Sequence, residues 1–596
     1  MYRAPVKDAC FILRELIGED GLQACPAHAE YSLDLAEAVL EEAAKLAENV
    51  LDPQYRAADK AGARWTAEGV RAPEGFHDAY RQYVEGGWSS LRAAPEHGGQ
   101  GMPCVLGTAV EEFWAASNLA FKLCPMLTQG AVEALEHFGS PAQKDRFLPK
   151  MVSGEWTGTM NLTEPQAGSD LAAIRTRAAP DGEHYRLFGQ KIYITWGDHD
   201  LTPNTIHMVL ARIDGAPPGV RGISMFIVPK VMVEADGSLG ARNDLQCLSI
   251  EHKLGINGSP TCVMAYGQQD GAVGYLVGEA NRGLEYMFVM MNAARLSVGL
   301  EGYAVADRAF QQAASWARTR VQGKPPGALA GVTGPAPIIH HPDVKRMLMT
   351  MRAYTEGCRA MALVAAAAQD AAHAHPDAEV RKQNQAFYEF MVPLIKGYST
   401  EMSLEVTSLG VQVHGGMGFI EETGAAQYYR DAKILTIYEG TTAIQANDLV
   451  GRKTSRDGGA TARSIAAQIQ ATESLLAARR SDAARAMLKR LSAARLALLD
   501  VVDFVAGQTR SSPNAVFAGS VPYLMLAGNV IAGWQMARAL LVAEDRLAEG
   551  VETDFMRAKI STARFYADHL LSKATGLRDS IVEGSAGVTE MALDAF

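Results

Sequence analysis

The sequence contains few cysteines, and none of them lie close together. The seven cysteines among 596 residues include no Cys-x-x-Cys pair and no cysteine beside a histidine at the spacing of metal ligands. This pattern excludes a small disulfide-stapled domain and gives no support to a zinc site. We therefore expect a reduced, cytoplasmic protein that binds no metal.

Runs of basic residues are also absent. Lys and Arg number 56 against 67 Asp and Glu, so the formal net charge is −11. Neutralising the phosphates of nucleic acid requires a basic stripe, so this composition excludes general nucleic-acid binding. Hydrophobic residues make up 48% and charged residues 21% of the chain, which is typical of folded globular domains and not of disordered chains.

Long uninterrupted apolar runs are lacking as well. The strongest candidate, residues 521–537, contains Gly528, Asn529 and Gln535, whereas a transmembrane helix needs ~20 predominantly apolar residues. We interpret this run as a buried core helix and expect no integral membrane segment. Residues 1–8 lack the apolar stretch of a secretory signal, so we expect no export.

Four stretches with different residue patterns follow one another along the chain. Apolar residues recur with helical spacing in residues 1–157, for example behind Ser32. Residues 158–280 alternate short β-type runs with Gly- and Pro-rich turns, which predicts an all-β domain. Helical periodicity returns in residues 281–452, and the Ala/Leu/Arg-rich residues 453–596 predict a helical extension. The sequence thus predicts a mainly α protein with a central β domain.

Two polar segments of the β domain have the composition of a ligand-binding turn and strand. In residues 160–170, Thr163 precedes Glu-Pro and Ala-Gly-Ser-Asp, a turn whose N–H groups and hydroxyls can face a heterocycle and a phosphate. In residues 191–197, alternation places Tyr193 and Thr195 on one face of a strand. Taken singly, each segment is more often an ordinary connector or a half-exposed strand.

A third segment combines a glycine turn with one isolated carboxylate. His-Gly-Gly-Met-Gly occupies residues 414–418, and a chiefly apolar run ends in Glu439 directly before Gly440. A carboxylate in an apolar cavity has a raised pKa and suits a general base. Because a lone glutamate is usually a solvated surface group, the inference depends on the three segments occurring together.

Together, these motifs resemble those of the acyl-CoA dehydrogenase family. The matching segments occur in the family's order, at residues 95–101, 163–170, 191–197, 292–295 and 412–445. The N-terminal leader and the C-terminal extension are similar to the large bacterial branch, which includes enzymes for 3-methylthiopropanoyl-CoA and for long-chain acyl-CoA. The resemblance implies a helical domain, a central β-barrel-like domain and a four-helix bundle, followed by a C-terminal helical extension.

The resemblance implies FAD as the cofactor and assigns its contacts residue by residue. The implied FAD contacts are Met160, Leu162, Thr163, Ser169, Tyr193, Thr195, Arg320, Gln412, Gly415, Gly416 and Thr441. The implied acyl-CoA contacts are Ser169, Asn292, Arg295 and Gly440. In the family, Arg320 and the Gln412 loop would reach the FAD of a neighbouring subunit, so we expect a homo-oligomer, in particular a homodimer.

The resemblance also implies the reaction. Glu439 would remove the α-proton of an acyl-CoA thioester while hydride passes from the β-carbon to flavin N5, which yields trans-2-enoyl-CoA. Some relatives carry the base immediately before the residue that matches Arg295, but that position here is Ala294, so Glu439 has no rival. The electrons would pass to an electron-transfer flavoprotein, as in fatty-acid β-oxidation.

Two other functions stay open from the sequence. An acyl-CoA oxidase would hand the electrons to dioxygen, and a non-catalytic acyl-CoA- or flavin-binding protein would keep the fold without the reaction. Oxygen consumption without an added electron carrier identifies the oxidase, and bleaching of bound flavin by an acyl-CoA excludes the non-catalytic protein. The acyl chain length does not follow from the sequence.

Overall fold

The computed structural model describes residues 2–326 and 333–596. Helices dominate these residues, and short 3₁₀ and π turns extend several of them. The α-helices, numbered in chain order, are α1 (Val6–Phe11), α2 (Asp20–Gln23), α3 (Leu33–Leu46), α4 (Asp52–Ala61), α5 (Glu74–Glu85), α6 (Cys104–Phe138), α7 (Pro141–Val152), α8 (Gly283–Thr319), α9 (Pro342–Ala374), α10 (Ala378–His414), α11 (Ala425–Leu435), α12 (Thr442–Asp448), α13 (Ala460–Ala477), α14 (Asp482–Gln508), α15 (Pro513–Ala518), α16 (Ser520–Ala548), α17 (Thr553–Phe565), α18 (Ala574–Val582) and α19 (Ala586–Thr589).

Most of the strands join one mixed sheet that closes on itself. The strands are β1 (Arg64–Thr66), β2 (Gly69–Arg71), β3 (Trp156–Asn161), β4 (Arg177–Asp181), β5 (His184–Thr195), β6 (Asn204–Ile213), β7 (Ile223–Pro229), β8 (Val231–Val233), β9 (Leu239–Arg242), β10 (Leu245–Ile250), β11 (Thr261–Tyr266) and β12 (Ala272–Leu276). The sheet runs in the order β10–β11–β5–β12–β7–β6–β3. Because β4 pairs with both β5 and β6, the circuit β5–β12–β7–β6–β4 is closed. The predicted fold class, mainly helical with a central β-barrel-like domain and a C-terminal helical extension, is confirmed.

The chain divides into two compact units. One comprises Met1–Glu42, Pro103–Ala116 and Val298–Phe596, and the other comprises Ala43–Met102 and Ser117–Ser297. We refer to the first as the helical unit and to the second as the barrel unit. The division into four domains at residues 157, 280 and 452 stays a prediction.

Alternating apolar residues build the interior of the barrel unit. Side chains such as Leu187, Ile194, Val209, Phe226 and Met264 meet in one buried cluster. Burying each of them contributes about 1.5–3 kcal/mol. The long strand β5 pairs with β4 and β12 through its first half and with β11 through its second half. Pairing with β11 therefore sets the register of the half of β5 that carries Tyr193 and Thr195.

The centre of the helical unit contains the apolar run noted in the sequence. This run lies in α16, which packs against α9, α10, α14 and α17. Among the described residues, α16 is the one helix long and apolar enough to cross a membrane, and 83% of its apolar window is buried by the rest of the protein. The run thus packs as the core helix that we expect.

A buried network of charged groups joins the N-terminal leader to distant parts of the helical unit. The Arg359 guanidinium, 2% exposed, donates to Asp8 at 2.5 Å and to Glu112 at 2.6 Å. Lys559 of α17 donates to the other oxygen of Asp8 and, at 2.8 Å, to Glu356. Burial alone would raise the pKa of Asp8, but the charges of Lys559 and Arg359 outweigh it and hold this pKa at about 2. We call these five residues the leader network.

Candidate active site

The end of β3 presents backbone donors that no described residue accepts from. The Leu162 carbonyl accepts a hydrogen bond from Lys191 Nζ at 2.8 Å. The next carbonyl, that of Thr163, accepts from the Ile192 N–H at 2.9 Å. In the part of the chain that the structure describes, no protein group accepts from the N–H of Leu162 or Thr163, and none bonds to the Thr163 hydroxyl. Both residues are half-buried, so this end of β3 is not sealed within the core.

Strand β5 presents Tyr193 and Thr195 on the face opposite to the buried Ile194. A bulge where β5 pairs with β11 gives Tyr193 a φ of +60°, and its side chain is 60% exposed. The hydroxyl of Thr159, on β3, donates to the Thr195 carbonyl at 2.8 Å. The hydroxyl of Thr195 itself bonds to no protein group among the described residues. The structure therefore brings the predicted contacts on β3 and β5 together.

Buried polar side chains support the end of β3. Tyr266 donates to Asn161 Oδ1 at 2.6 Å, and the His207 ring packs edge-on against Tyr266 with centroids 6.2 Å apart. Burial lowers the pKa of His207 to about 3, so the ring is neutral at physiological pH. Met160 is buried in the strand itself, so a contact with FAD there would involve its backbone. Sequence patterns did not single out Tyr266 or His207, because neither residue lies in one of the motif segments.

The acyl-CoA contacts implied for the barrel unit lie in two segments. Ser169 is exposed in the loop after β3, directly before Asp170, which accepts from the Ala172 N–H at 3.0 Å and begins a 3₁₀ turn. Asn292 is exposed on α8, whereas Arg295, almost one turn further on, is buried. Their contacts with a substrate stay predictions.

The turn between α11 and α12 carries the candidate base in a strained backbone conformation. Glu439 has a φ of +53° and Gly440 a φ of +92°. Lys396 Nζ donates to the Gly440 carbonyl at 2.6 Å, and the Gln445 amide donates to the carbonyls of Glu439 and Gly440 at 3.3 and 3.4 Å. A left-handed backbone costs a non-glycine residue about 1–2 kcal/mol. Because Lys396 and Gln445 are buried, the core of the helical unit holds the turn in this conformation.

Side chains on either side fix the flanks of the Glu439 turn. The hydroxyl of Thr441, a predicted FAD contact, accepts from the Ile444 N–H at 3.3 Å and caps α12. The Tyr438 hydroxyl donates to the Glu301 carboxylate. Burial, together with this carboxylate, raises the pKa of Tyr438, so the phenol stays protonated as the donor. The half-buried Glu439 therefore lies between two anchored residues.

The glycine turn of the third motif forms an exposed loop at the end of α10. This helix ends at His414, whose ring stacks on Trp316 of α8 at 5.2 Å. Gly415 has a φ of +61°, which favours glycine. Gln412, Gly415 and Gly416 are all exposed, and a side chain at either glycine would meet open space. The loop is therefore accessible to a ligand or to another chain.

Apolar side chains continue from this loop. Phe419 is 85% exposed, and Met417 and Ile420 are also exposed; we call these three residues the loop patch. Arg320, the residue after α8, is exposed as well. Exposed apolar residues that cluster on a surface commonly mark an interaction site.

The sequence did not identify two buried lysines, Lys191 and Lys396, as site residues. Lys191 belongs to a quoted motif without an assigned role, and Lys396 lies in α10 outside the quoted motifs. A lysine inside an apolar run is the available signal, and it does not reveal the carbonyl that the ammonium will meet. Among the described residues, no group of three or more His, Cys, Asp or Glu side chains is arranged to hold a metal ion.

Comparison with protein families matches nearly the whole chain. Residues 34–155, 159–268 and 281–453 match the N-terminal, middle and C-terminal domains of acyl-CoA dehydrogenase, and residues 465–592 match a domain described as acetyl-CoA dehydrogenase C-terminal like. A 3-methylmercaptopropionyl-CoA dehydrogenase of Ruegeria pomeroyi is 49% identical over 592 residues, covering 98% of this chain and 100% of the relative. A broad-specificity linear acyl-CoA dehydrogenase of Mycobacterium tuberculosis is 35% identical, covering 100% of both chains. The chain belongs to the acyl-CoA dehydrogenase family and is an oxidoreductase.

Solved structures show the same fold. An acyl-CoA dehydrogenase of Bacillus anthracis complexed with FAD aligns with a TM-score of 0.74 at 21% identity, covering 96% of this chain and 91% of that one. Caenorhabditis elegans ACDH-11 in complex with C11-CoA aligns with a TM-score of 0.75 at 20% identity, covering 96% and 92%. Since both alignments include most of this chain, the shared fold extends beyond a single domain.

Proposed function

We propose that the protein catalyses the FAD-dependent α,β-dehydrogenation of an acyl-CoA thioester to trans-2-enoyl-CoA, with Glu439 as the base. The Glu439 turn carries this proposal. A non-glycine residue persists in the left-handed region only where its surroundings impose it, and such residues concentrate at functional sites. Here the buried Lys396 and Gln445 impose it through the backbone carbonyls, and Glu439 itself is half-buried.

The barrel unit offers donors that suit an isoalloxazine ring. A flavin ring carries hydrogen-bond acceptors along one edge and at N5. The N–H groups of Leu162 and Thr163 and the hydroxyl of Thr195 are donors without a protein partner among the described residues, and Tyr193 supplies an exposed aromatic face. These residues fit FAD, and together with Met160 they would hold its ring. FAD, when bound, accepts the hydride that leaves the β-carbon of the substrate.

The remaining steps involve groups of this chain. The Glu439 carboxylate takes the α-proton, and the electron pair of that C–H bond becomes the second bond between the α- and β-carbons. The backbone N–H of Glu439 stabilises the negative charge that develops on the thioester oxygen. Ala294, at the alternative base position of the family, has no group that accepts a proton. Proton removal therefore depends on one side chain.

The relative from Ruegeria pomeroyi suggests the first substrate to test. It is named for 3-methylmercaptopropionyl-CoA and shares 49% identity over its full length. We propose this short thioether acyl-CoA, and straight acyl-CoAs of similar length, as substrates, bound with contacts from Ser169, Asn292, Arg295 and Gly440. The alternative is a longer chain, which the broad-specificity relative at 35% identity keeps open.

The electron acceptor and the cellular setting follow from the same reasoning. We propose an electron-transfer flavoprotein as the acceptor and the cytoplasm as the compartment, in fatty-acid metabolism or a related acyl-CoA pathway. None of the seven cysteines, all of which lie in the described residues, forms a disulfide, which agrees with a reducing compartment. In the alternative function, that of an acyl-CoA oxidase, dioxygen accepts the electrons instead.

We further propose that the active form is at least a homodimer. The FAD contacts Arg320, Gln412, Gly415 and Gly416 are exposed, and the adjoining loop patch leaves Phe419 85% exposed. A second copy that covers the loop patch would remove this apolar surface from water. Light scattering should show a dimer or larger assembly, and Phe419→Asp should shift it toward monomers that lose FAD. A wild-type monomer that retains stoichiometric FAD contradicts the dimer.

The central experiment measures bound flavin and its reduction. Purified protein should carry about one non-covalent FAD per chain, and anaerobic addition of substrate should bleach the flavin absorbance. A panel from C3 to C16 acyl-CoA plus 3-methylmercaptopropionyl-CoA identifies the substrate. Oxygen uptake at the rate of turnover would identify an oxidase, and bound flavin that no acyl-CoA bleaches would identify a non-catalytic protein.

A further inference from the structure

Lys191 is a buried charged residue with no part in the chemistry above. Its side chain is 0% exposed, and its ammonium donates to the Leu162 carbonyl and to Glu164 Oε1, each at 2.8 Å. Replacing a buried ion pair by apolar residues is often neutral or stabilising, so stability alone does not account for such a pair. The contact with the Leu162 carbonyl indicates a second role.

This contact fixes the direction of one backbone donor. The Leu162 carbonyl and the Thr163 N–H belong to the same peptide group, and in a planar trans peptide these two groups point to opposite sides. The ammonium on the carbonyl side therefore aims the N–H away from the protein interior. That N–H has no protein partner among the described residues. Polarisation of the carbonyl by a positive charge also strengthens the N–H as a donor.

Glu164 holds the lysine in place. Its carboxylate accepts from the Arg175 N–H at 2.6 Å and from the Thr176 N–H and hydroxyl at 3.0 and 2.6 Å. Burial raises the pKa of Glu164, but the charge of Lys191 outweighs it and the pKa is about 2. Burial lowers the pKa of Lys191 to about 8 against the attraction of Glu164. Both groups are thus mainly charged at neutral pH.

We propose that Lys191 is a positioning residue for the flavin. Its hydrogen bond to the Leu162 carbonyl orients the Thr163 N–H toward the isoalloxazine ring and makes this N–H a stronger donor. The inference rests on the proposed FAD site. The reduced flavin carries more negative charge than the oxidised form and gains more from this donor. Lys191 therefore acts on the FAD affinity and on the flavin midpoint potential, and it touches neither substrate nor reacting atoms.

The experiment compares Lys191→Met with a matched control, Lys230→Met. Lys230 also bridges a buried carboxylate and a carbonyl of the barrel unit, those of Asp198 at 2.5 Å and His199 at 3.1 Å, but it contacts no residue assigned to FAD. Both variants remove a lysine from an ion pair, so both should lower the unfolding temperature. Only Lys191→Met should raise the Kd for FAD, measured by titrating the apoprotein, by about tenfold. It should also lower the flavin midpoint potential by about 30 mV, the equivalent of tenfold weaker binding of reduced relative to oxidised FAD.

The outcomes separate this inference from the proposed function. If Lys191→Met and Lys230→Met give the same FAD affinity and potential as wild type, the positioning role is wrong and the FAD site stands. If natively folded wild-type protein does not bind FAD, the proposed function is wrong, and this inference is wrong with it. Should Lys191→Met not fold, Lys191→Leu, which likewise has no donor for the Leu162 carbonyl, replaces it, and an unchanged potential in that variant also overturns the inference.

Discussion

Substitution of Glu439 separates the chemistry of the candidate base from its structural setting. The contacts that hold the turn, from Lys396 and Gln445, are made to backbone carbonyls and not to the carboxylate. Glu439→Gln keeps these backbone contacts, so the variant should retain the turn. The amide cannot accept the α-proton, so flavin reduction by acyl-CoA should slow by about 10²–10⁴-fold, which corresponds to about 2.7–5.4 kcal/mol of activation free energy.

A second substitution tests the strain itself. At a φ of +53°, Glu439→Gly removes a backbone penalty of about 1–2 kcal/mol, while the greater freedom of glycine in the unfolded chain costs about 0.5–1 kcal/mol. The change in backbone freedom should therefore leave the variant as stable as wild type or stabilise it by up to about 1.5 kcal/mol. Loss of activity with no loss of stability would show that the strained residue is kept for function.

Stopped-flow absorbance under anaerobic conditions measures the reductive rate, and denaturant unfolding of the same samples measures stability. Spectral perturbation of the flavin by an enoyl-CoA should persist in both variants, which separates lost chemistry from lost binding. A Glu439→Gln protein that reduces its flavin at the wild-type rate would refute the assignment of the base. A Glu439→Gly protein destabilised by more than about 1 kcal/mol would refute the strain argument.

Three further outcomes are expected. Thr195→Val removes one hydrogen bond worth about 1 kcal/mol, so the reductive rate should fall about fivefold; an unchanged rate means that this hydroxyl does not face the flavin. Lys559→Met deprives Asp8 of one of its two cationic partners and should lower the unfolding free energy by about 3–5 kcal/mol, measured by denaturation, whereas a loss below about 1 kcal/mol would contradict the buried network. His207 has a folded pKa of about 3, below its unfolded value near 6.5, so the unfolded chain binds the proton first and stability falls as the pH drops below about 6.5. His207→Gln should reduce this acid-side slope by about 1.4 kcal/mol per pH unit, and an unchanged slope would show that His207 is not buried as a neutral ring.

The fold class followed from periodicities that are local in the sequence. The alternation around Leu187 and Ile194 predicts strands, and both side chains lie in the barrel core. Local periodicity did not predict that the barrel closes, because closure depends on β4 pairing with two strands at once. Hydrophobic patterning identifies a strand but does not name its partner.

For the candidate site, too, the sequence predicted some residues and not others. Residues with an unusual local sequence, such as Thr163 and Glu439, were recognised as candidates from their motifs. The lysines that hold their backbones were not assigned roles, because Lys396 meets the Gly440 carbonyl across 44 residues and Lys191 meets the Leu162 carbonyl across 29. Such contacts depend on how helices and strands pack, and the roles of the site residues stay predictions until the variants are measured.

The leader network has a consequence for the order in which the protein assembles on the ribosome. Asp8 and its partner Lys559 are separated by 551 positions. At about 5–20 residues per second, roughly half a minute to two minutes of synthesis pass between them. During that time the Asp8 carboxylate cannot have its full set of buried partners, so the leader has to stay hydrated or be held by a chaperone. Docking of the leader is thus a late event that depends on completion of the chain through α17.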